Sequence, residues 1–252
     1  MEFSDVKYSQ YLQILREELL PAMGCTEPIA MAYAAARARQ TLGKMPDKID
    51  IVISGNIIKN VKSVVVPNTG GLKGIAAAVA AGAVVGDADR QLEVLSYVKP
   101  EEIPKIAEFM DKCQMTVIKS DSGKLLDIDL HMYSGTDSVR LRICDNHTNI
   151  VLIEKNGEVL FKKDSDDGES GETDRSVLNV RDILDFAQSV RLEDVSDMLG
   201  RQIEYNLAIS EEGLRGNYGA SIGKTLLETR GNDVRVRARA QAAAGSDARM
   251  SG

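Results

Sequence analysis

Two stretches of this sequence carry residue types that could do chemistry: Cys25-Thr26-Glu27-Pro28 and Asp145-Asn146-His147-Thr148-Asn149. Cys25 lies one residue before the Thr expected to cap a helix, so the positive end of the helix dipole is aimed at its sulfur. That lowers a thiol pKa and favours a bound anion or a metal thiolate. A free cysteine is as readily a small buried core residue. His147, among polar neighbours at the end of a predicted strand, could serve as a general base or simply occupy a surface turn. His131 falls inside an alternating strand, and Cys113 and Cys144 sit among apolar neighbours, so these three read as structural.

Two further segments invite a chemical reading. Asn68 to Gly74 is a glycine-rich turn entering a helix, a geometry whose backbone N–H groups can cradle an anion. Lys73 precedes the last glycine instead of following it, so the phosphate-loop order is not met and a tight turn is expected. Near the end of the chain, small residues surround Ser246, Asp247 and Arg249. Arg249 could clamp a carboxylate bidentately, or be a solvated arginine on a frayed helix.

The elements that must position these groups follow from periodicity. Tyr8, Tyr11/Leu12, Leu15 and Leu19 form one helical stripe, ended by Pro21 and Gly24. Thr26-Glu27-Pro28 reads as a capped helix start, and the Ala-rich run that follows stops at Gly43. Ile49, Ile51 and Ile53 alternate as a strand, and Val61–Val66 predicts a second one. Leu72–Val85 predicts a buried Ala-rich helix and Glu101–Lys112 a polar one. Strands are expected over Met115–Lys119, Leu125–Met132, Val139–Cys144 and Ile150–Glu154, with a type I′ hairpin at Asn156-Gly157. Asp164 to Asp174 carries six acidic side chains and predicts an exposed, mobile linker. Helices resume with Val180, Ile183, Leu184, Phe186/Ala187 and Val190. They continue through Val195, Leu199, Ile203 and Leu207 to Gly213, then around Ile222–Leu227 and Val234–Ala244.

The expected fold class is therefore α+β. An Ala-rich helical domain is built from residues 1–45 and 176–252, joined to an inserted α+β domain (46–163) with a largely antiparallel sheet, and residues 164–175 are the linker. At 252 residues the chain is long enough for a sizeable core, which must be aliphatic because aromatics are 4% and Trp is absent. A net charge of −7 disfavours nucleic acid as a general partner, and none is expected. The longest near-apolar run, Gly74 to Gly86, is shorter than the ~20 residues a membrane span needs. Met1–Asp5 lacks a basic, apolar leader, and three widely spaced cysteines make no secreted disulfide framework. The chain is expected to be cytoplasmic, without a membrane partner. Its Ala-rich helices are compatible with a homodimer and equally with packing inside a monomer.

Leu20-Pro21-Ala22-Met23-Gly24-Cys25-Thr26-Glu27-Pro28-Ile29-Ala30 resembles the GCTEPIA signature of cysteine desulfidases, which are similar to the iron–sulfur L-serine dehydratases. Further matches in family order are Gly55–Asn60 with Val66-Pro67, Gly82–Asp87, His147–Ile150, Glu212-Gly213-Leu214 and Gly245–Met250. The resemblance implies a β-elimination lyase that converts L-cysteine to pyruvate, ammonia and sulfide. The alternatives are an L-serine dehydratase or, in a different class, a non-catalytic amino-acid-binding regulatory module. It implies a 4Fe-4S cluster held by three cysteines, with Cys25 matching the first ligand. The other family cysteines lie downstream of the position matching Gly252, so the chain alone is expected neither to hold the cluster nor to turn over substrate. Under this resemblance His147 is the candidate base. Glu27 joins it in the catalytic set or orients Cys25. Thr26, Ser246 and Arg249 are candidates for binding the small amino-acid substrate.

Overall fold

A computed structural model describes residues 1–22, 24–163, 173–231 and 233–251. In chain order they form α1 (Val6–Glu18), α2 (Thr26–Leu42), β1 (Lys48–Ile53), α3 (Gly55–Val61), α4 (Gly74–Val85), α5 (Ile103–Lys112) and β2 (Gln114–Lys119). Then come β3 (Asp127–Ser134), β4 (Asp137–Cys144), β5 (Ile150–Lys155), β6 (Glu158–Lys162), α6 (Val180–Ser189), α7 (Leu192–Arg215), α8 (Ile222–Arg230) and α9 (Val234–Ser251). The class is α+β. Contacts divide the chain into two compact units, Met1–Pro21 with Ser165–Ala248, and Ala22–Asp164 with Arg249–Gly252.

The second unit is a six-stranded sheet in the order β2-β1-β3-β4-β5-β6, parallel between β1 and β2 and antiparallel elsewhere. Period-two alternation sorts its faces. Ile49, Ile51 and Ile53 of β1, Ile128, Leu130 and Met132 of β3, and Val139, Leu141 and Ile143 of β4 are buried in one aliphatic core. α2 packs across β3, β4 and β5, α4 packs on α2, and α5 packs on α4 and β2. Sandwiched between sheet and α4, α2 is buried nearly all round, and small side chains make that fit. A Cβ on Gly82 would stand 2.6 Å from Ala32 Cα and overlap the Ala32 carbonyl oxygen, so the α2–α4 crossing requires glycine there.

The opposite sheet face is charged. Asp127, 1% exposed, receives two hydrogen bonds from Arg142 at 2.8 and 3.0 Å, and Asp129 receives two from Arg140 at 3.0 and 2.7 Å. Both are diagonal pairs across the β3–β4 ladder, where Asp129 is directly opposite Arg142. Burial opposes the Asp127 charge, but Arg142, Ser122, Cys144 and Ser120 outweigh it and hold the carboxyl well below its usual range. His131 Nε2 lies 3.3 Å from Asp129. Cys144 Sγ donates to Asp127 at 3.2 Å. Cys113 and Cys144 are buried, as expected of structural residues.

The first unit is helical. Tyr8, Tyr11 and Leu12 of α1 pack with Phe186 of α6 and Val195 of α7. The Tyr8 hydroxyl donates to Asp194 at 2.6 Å and accepts from the Arg191 N–H. At the other end of α7, a Cβ on Gly213 would overlap the carbonyl oxygen of Ala244 in α9. A Cβ on Gly223 of α8 would stand 2.7 Å from Ala244 Cβ. Asp247 of α9 accepts from the Ile222 N–H at the start of α8, at 3.0 Å.

Three local readings change. Val61–Val66 is not a strand: Ser54 caps α3 by accepting from the Ile57 N–H, and Ile57 and Val61 become one buried helical face. The cap of α2 is Cys25, not Thr26, which is its first helical residue. α2 packs in the unit of the sheet, whereas α1 packs with the C-terminal helices, so the boundary expected after residue 45 falls before Ala22. The helix of Ala residues needs covering on all sides, and the sheet unit supplies that. Most of the acidic stretch, 164–172, lies outside the described residues. At its end the Thr173 N–H and hydroxyl and Arg175 all donate to Glu17 of α1. Among the described residues no helix is long and apolar enough to cross a membrane.

Candidate functional site

The N-terminus of α2 and the β4–β5 connection belong to the sheet unit, and Glu27 of the first and His147 of the second feel each other's charge. Gly24, with φ +98°, turns the chain into α2, a backbone shape that favours glycine. A Cβ there would also stand 3.0 Å from the Arg249 carbonyl oxygen and 3.6 Å from Pro67. Cys25 follows as the cap residue, and its side chain makes no capping bond. Its Sγ–H instead donates to Glu27 Oε2 at 3.2 Å, and the Thr26 hydroxyl donates to the same oxygen at 3.4 Å. The other oxygen, Oε1, accepts from Asn60 Nδ2 at 3.1 Å. Asn60 is in the last turn of α3, a helix anchored by buried Ser54, whose hydroxyl donates to the Leu125 carbonyl.

His147 comes from the β4–β5 connection. Asp145 at φ 68° starts the turn. Asn149 closes it, its carbonyl accepting from Cys144 N at 3.1 Å and its side chain donating to Cys144 O at 2.9 Å. Burial pushes the His147 imidazole below its ordinary pKa, and the Glu27 carboxylate opposes that shift. Burial also opposes the Glu27 charge. The hydrogen bonds from Cys25 and Asn60, and the His147 charge, hold Glu27 below the usual carboxylate range nonetheless.

The expectation of an acidified Cys25 thiol does not hold. Burial, then the hydrogen bond to and charge of Glu27, push it up to about 11. Helix position alone suggested the opposite, because the dipole acts weakly against a carboxylate two residues away. The site thus unites Cys25, Thr26, Glu27 and His147. It adds Asn60, which sequence reasoning named only within a matched stretch. Ser246 belongs to the helical unit, exposed on α9, and Arg249, also exposed, is the first α9 residue to group with the sheet unit.

As chemistry, the cluster offers a soft ligand atom, a fixed carboxylate and an imidazole held toward its neutral form. Among the described residues no group of three or more His, Cys, Asp or Glu could hold a metal ion. Cys113 and Cys144 are buried, Cys144 bonded to Asp127 on the charged sheet face. An iron–sulfur cluster ordinarily takes three or four thiolates, so the residues present do not make a cluster site by themselves.

Comparison with known proteins finds relatives along the whole chain. It is 55% identical over 253 residues to a UPF0597 protein of Desulfitobacterium hafniense, covering 100% of this chain and 59% of that protein. It is 47% identical to a UPF0597 protein of Lachnoclostridium phytofermentans, covering 97% of this chain and 59% of that protein. It is 45% identical to one of Treponema denticola, covering 100% and 60%. The chain thus spans about three-fifths of the length of the curated relatives it matches. No family model and no solved structure matches it.

Proposed function

We propose that this chain, similar along its length to the UPF0597 proteins, is the proton-handling part of a β-elimination lyase acting on a small L-amino acid, with L-cysteine the preferred substrate. One observation carries the reading. Within the sheet unit Glu27 accepts from Cys25, and Glu27 and His147 each feel the other's charge, although His147 is far from the other two in sequence.

β-Elimination from L-cysteine removes the α-proton and breaks the Cβ–S bond. The aminoacrylate that results becomes an imine, and water converts it to pyruvate and ammonia while the sulfur leaves as sulfide. A base must reach the α-proton within hydrogen-bond distance. His147 suits that role because burial keeps the imidazole neutral and ready to accept a proton. Glu27, its negative charge held by Asn60 and Thr26, stabilises the imidazolium that forms. Thr26 lies beside the same carboxylate, and in this reading Arg249 contributes to binding the substrate carboxylate. An iron–sulfur cluster, if bound, would supply an open iron as a Lewis acid for the leaving group. Cys25 would supply one thiolate to such a group, and the remaining ligands would come from outside the residues described.

The test uses this chain joined to the further length that its relatives have, reconstituted anaerobically with iron and sulfide, freed of excess sulfide and given L-cysteine. Sulfide and pyruvate appear in equal amounts, and both vanish in Cys25→Ala and in His147→Ala. Absence of both products from cluster-loaded protein rejects the desulfidase reading. Pyruvate from L-serine alone makes the enzyme a dehydratase.

A further inference from the structure

Glycines inside the helices of this protein mark where another helix backbone comes close. Gly82 in α4 lies against Ala32, Gly213 in α7 against Ala244, and Gly223 in α8 against Ala240 and Ala244. Each leaves no room for a Cβ. Glycine in a helix interior is otherwise unfavourable, and close approach is the physical reason to keep it. Gly200, in the middle of α7, breaks the pattern: a Cβ there would meet nothing within 4 Å.

A second feature of α7 coincides with it. Val195, Leu199, Ile203 and Leu207 recur at four-residue spacing, the stripe by which a helix buries itself. Only its first two positions are used: Val195 is 4% exposed in the Tyr8–Phe186 core, and Leu199 is partly buried against it. Ile203 is 58% and Leu207 46% exposed, one and two turns beyond Gly200. α7 is therefore packed at its N-terminal end by α1 and at Gly213 by α9, and between them its residues 200–208 are exposed among the described residues.

We propose that this stretch is the crossing point for a further helix, supplied by the length of the relatives that this chain does not span. The relatives extend over about two-fifths more of their own length than the matched region. At the α2–α4 and α7–α9 crossings a helix-interior glycine meets the backbone of another helix, and Gly200 offers the same opening beside exposed Ile203 and Leu207. The inference does not depend on the lyase reading, since any function would need the same packing.

The experiment co-expresses this chain with the unmatched part of the Desulfitobacterium hafniense relative as a separate polypeptide. The two copurify, and amides 197–207 gain hydrogen-exchange protection over the chain alone. Gly200→Leu weakens association by about tenfold or more, as overpacking a close crossing does, and Ile203→Glu with Leu207→Glu abolishes it. All variants keep wild-type helicity by circular dichroism, because these positions are open in the chain alone. Failure to copurify, or unchanged protection of 197–207, overturns the proposal. So does protection of these amides in the chain alone, which as a dimer would make a second copy the occupant and as a monomer would make it the sheet unit. Copurification that survives the Glu variants also overturns it.

Discussion

Gly82→Ala and Gly200→Ala are the same substitution, each in a helix interior, and should change stability in opposite directions. At either position alanine gains about 1 kcal/mol of helix propensity over glycine. At Gly200 nothing within 4 Å opposes it, so Gly200→Ala should raise stability by roughly 0.5–1 kcal/mol. At Gly82 the new methyl would stand 2.6 Å from Ala32 Cα, whereas carbon atoms pack at about 3.5–4.0 Å. α2 and α4 would have to part by about 1 Å. Ala32, Ala78 and Val79 are fully buried, and such interiors have no slack. Overpacking typically costs about 1–3 kcal/mol and more where backbone must move. The contact here is with backbone, so we place the cost above that range, and after the propensity gain Gly82→Ala should lose about 2–3 kcal/mol. The assay is urea denaturation followed by circular dichroism, with unchanged slopes confirming that stability alone has moved. A Gly82→Ala protein as stable as wild type or more so would refute the argument that the α2–α4 crossing requires glycine.

Arg142→Met strands the Asp127 carboxylate in the sheet and should cost about 3–5 kcal/mol by urea melt; Asp127→Asn in the same chain should recover part of that loss. Cys25 should react with iodoacetamide at pH 7 about tenfold more slowly than a thiol at the ordinary 9.0, because its pKa is pushed up to about 11 and the smaller thiolate fraction is only partly offset by greater nucleophilicity. Glu27→Gln should speed the reaction by removing the charge and acceptor that hold the proton. The same Glu27→Gln change should move the His147 midpoint, read by NMR, further down, since only Glu27 opposes the effect of burial there. Glu17 is held at about 2 because bonds from Arg175, Gln13 and Thr173 outweigh burial. A depressed carboxyl stabilises above its unfolded pKa and loses that as pH falls, so the Thr173 amide resonance should shift with a midpoint near 2 and not near 4.5.

The strands and most helices were legible because their apolar residues repeat with clear periods. Ile49, Ile51 and Ile53 read as a strand and are one. Asn156 and Gly157 both take the left-handed backbone that a type I′ turn needs. Val61–Val66 misled because a continuous apolar run has no period, and the deciding residue, Ser54, acts from outside it. The unit to which α2 belongs was not legible, because an Ala-rich helix is apolar on every side and names no partner. At the candidate site, Cys25, Glu27 and His147 were visible as residue types in suggestive stretches. Asn60 was visible only in a matched stretch, since an asparagine at a helix end acquires meaning only from the carboxylate it faces. The sense of the Cys25 shift was misjudged because the helix dipole can be read from sequence, while burial and a side-chain hydrogen bond cannot.

The order of the sheet has a consequence during synthesis. β1 lies between β2 and β3, so it stays unpaired until residues far downstream have been made. Cys25 and Glu27 are translated about 120 residues before His147, which at ordinary rates of roughly 5–20 residues per second is about 6–24 s. Until the end of that interval the thiol is on a nascent chain without the β4–β5 turn beside it, and β2, β3 and β4 are translated only in its last part. Its reactivity in the growing polypeptide is then that of an ordinary cysteine. Any factor that must reach this sulfur in an open state has its widest opportunity before the ribosome passes residue 149.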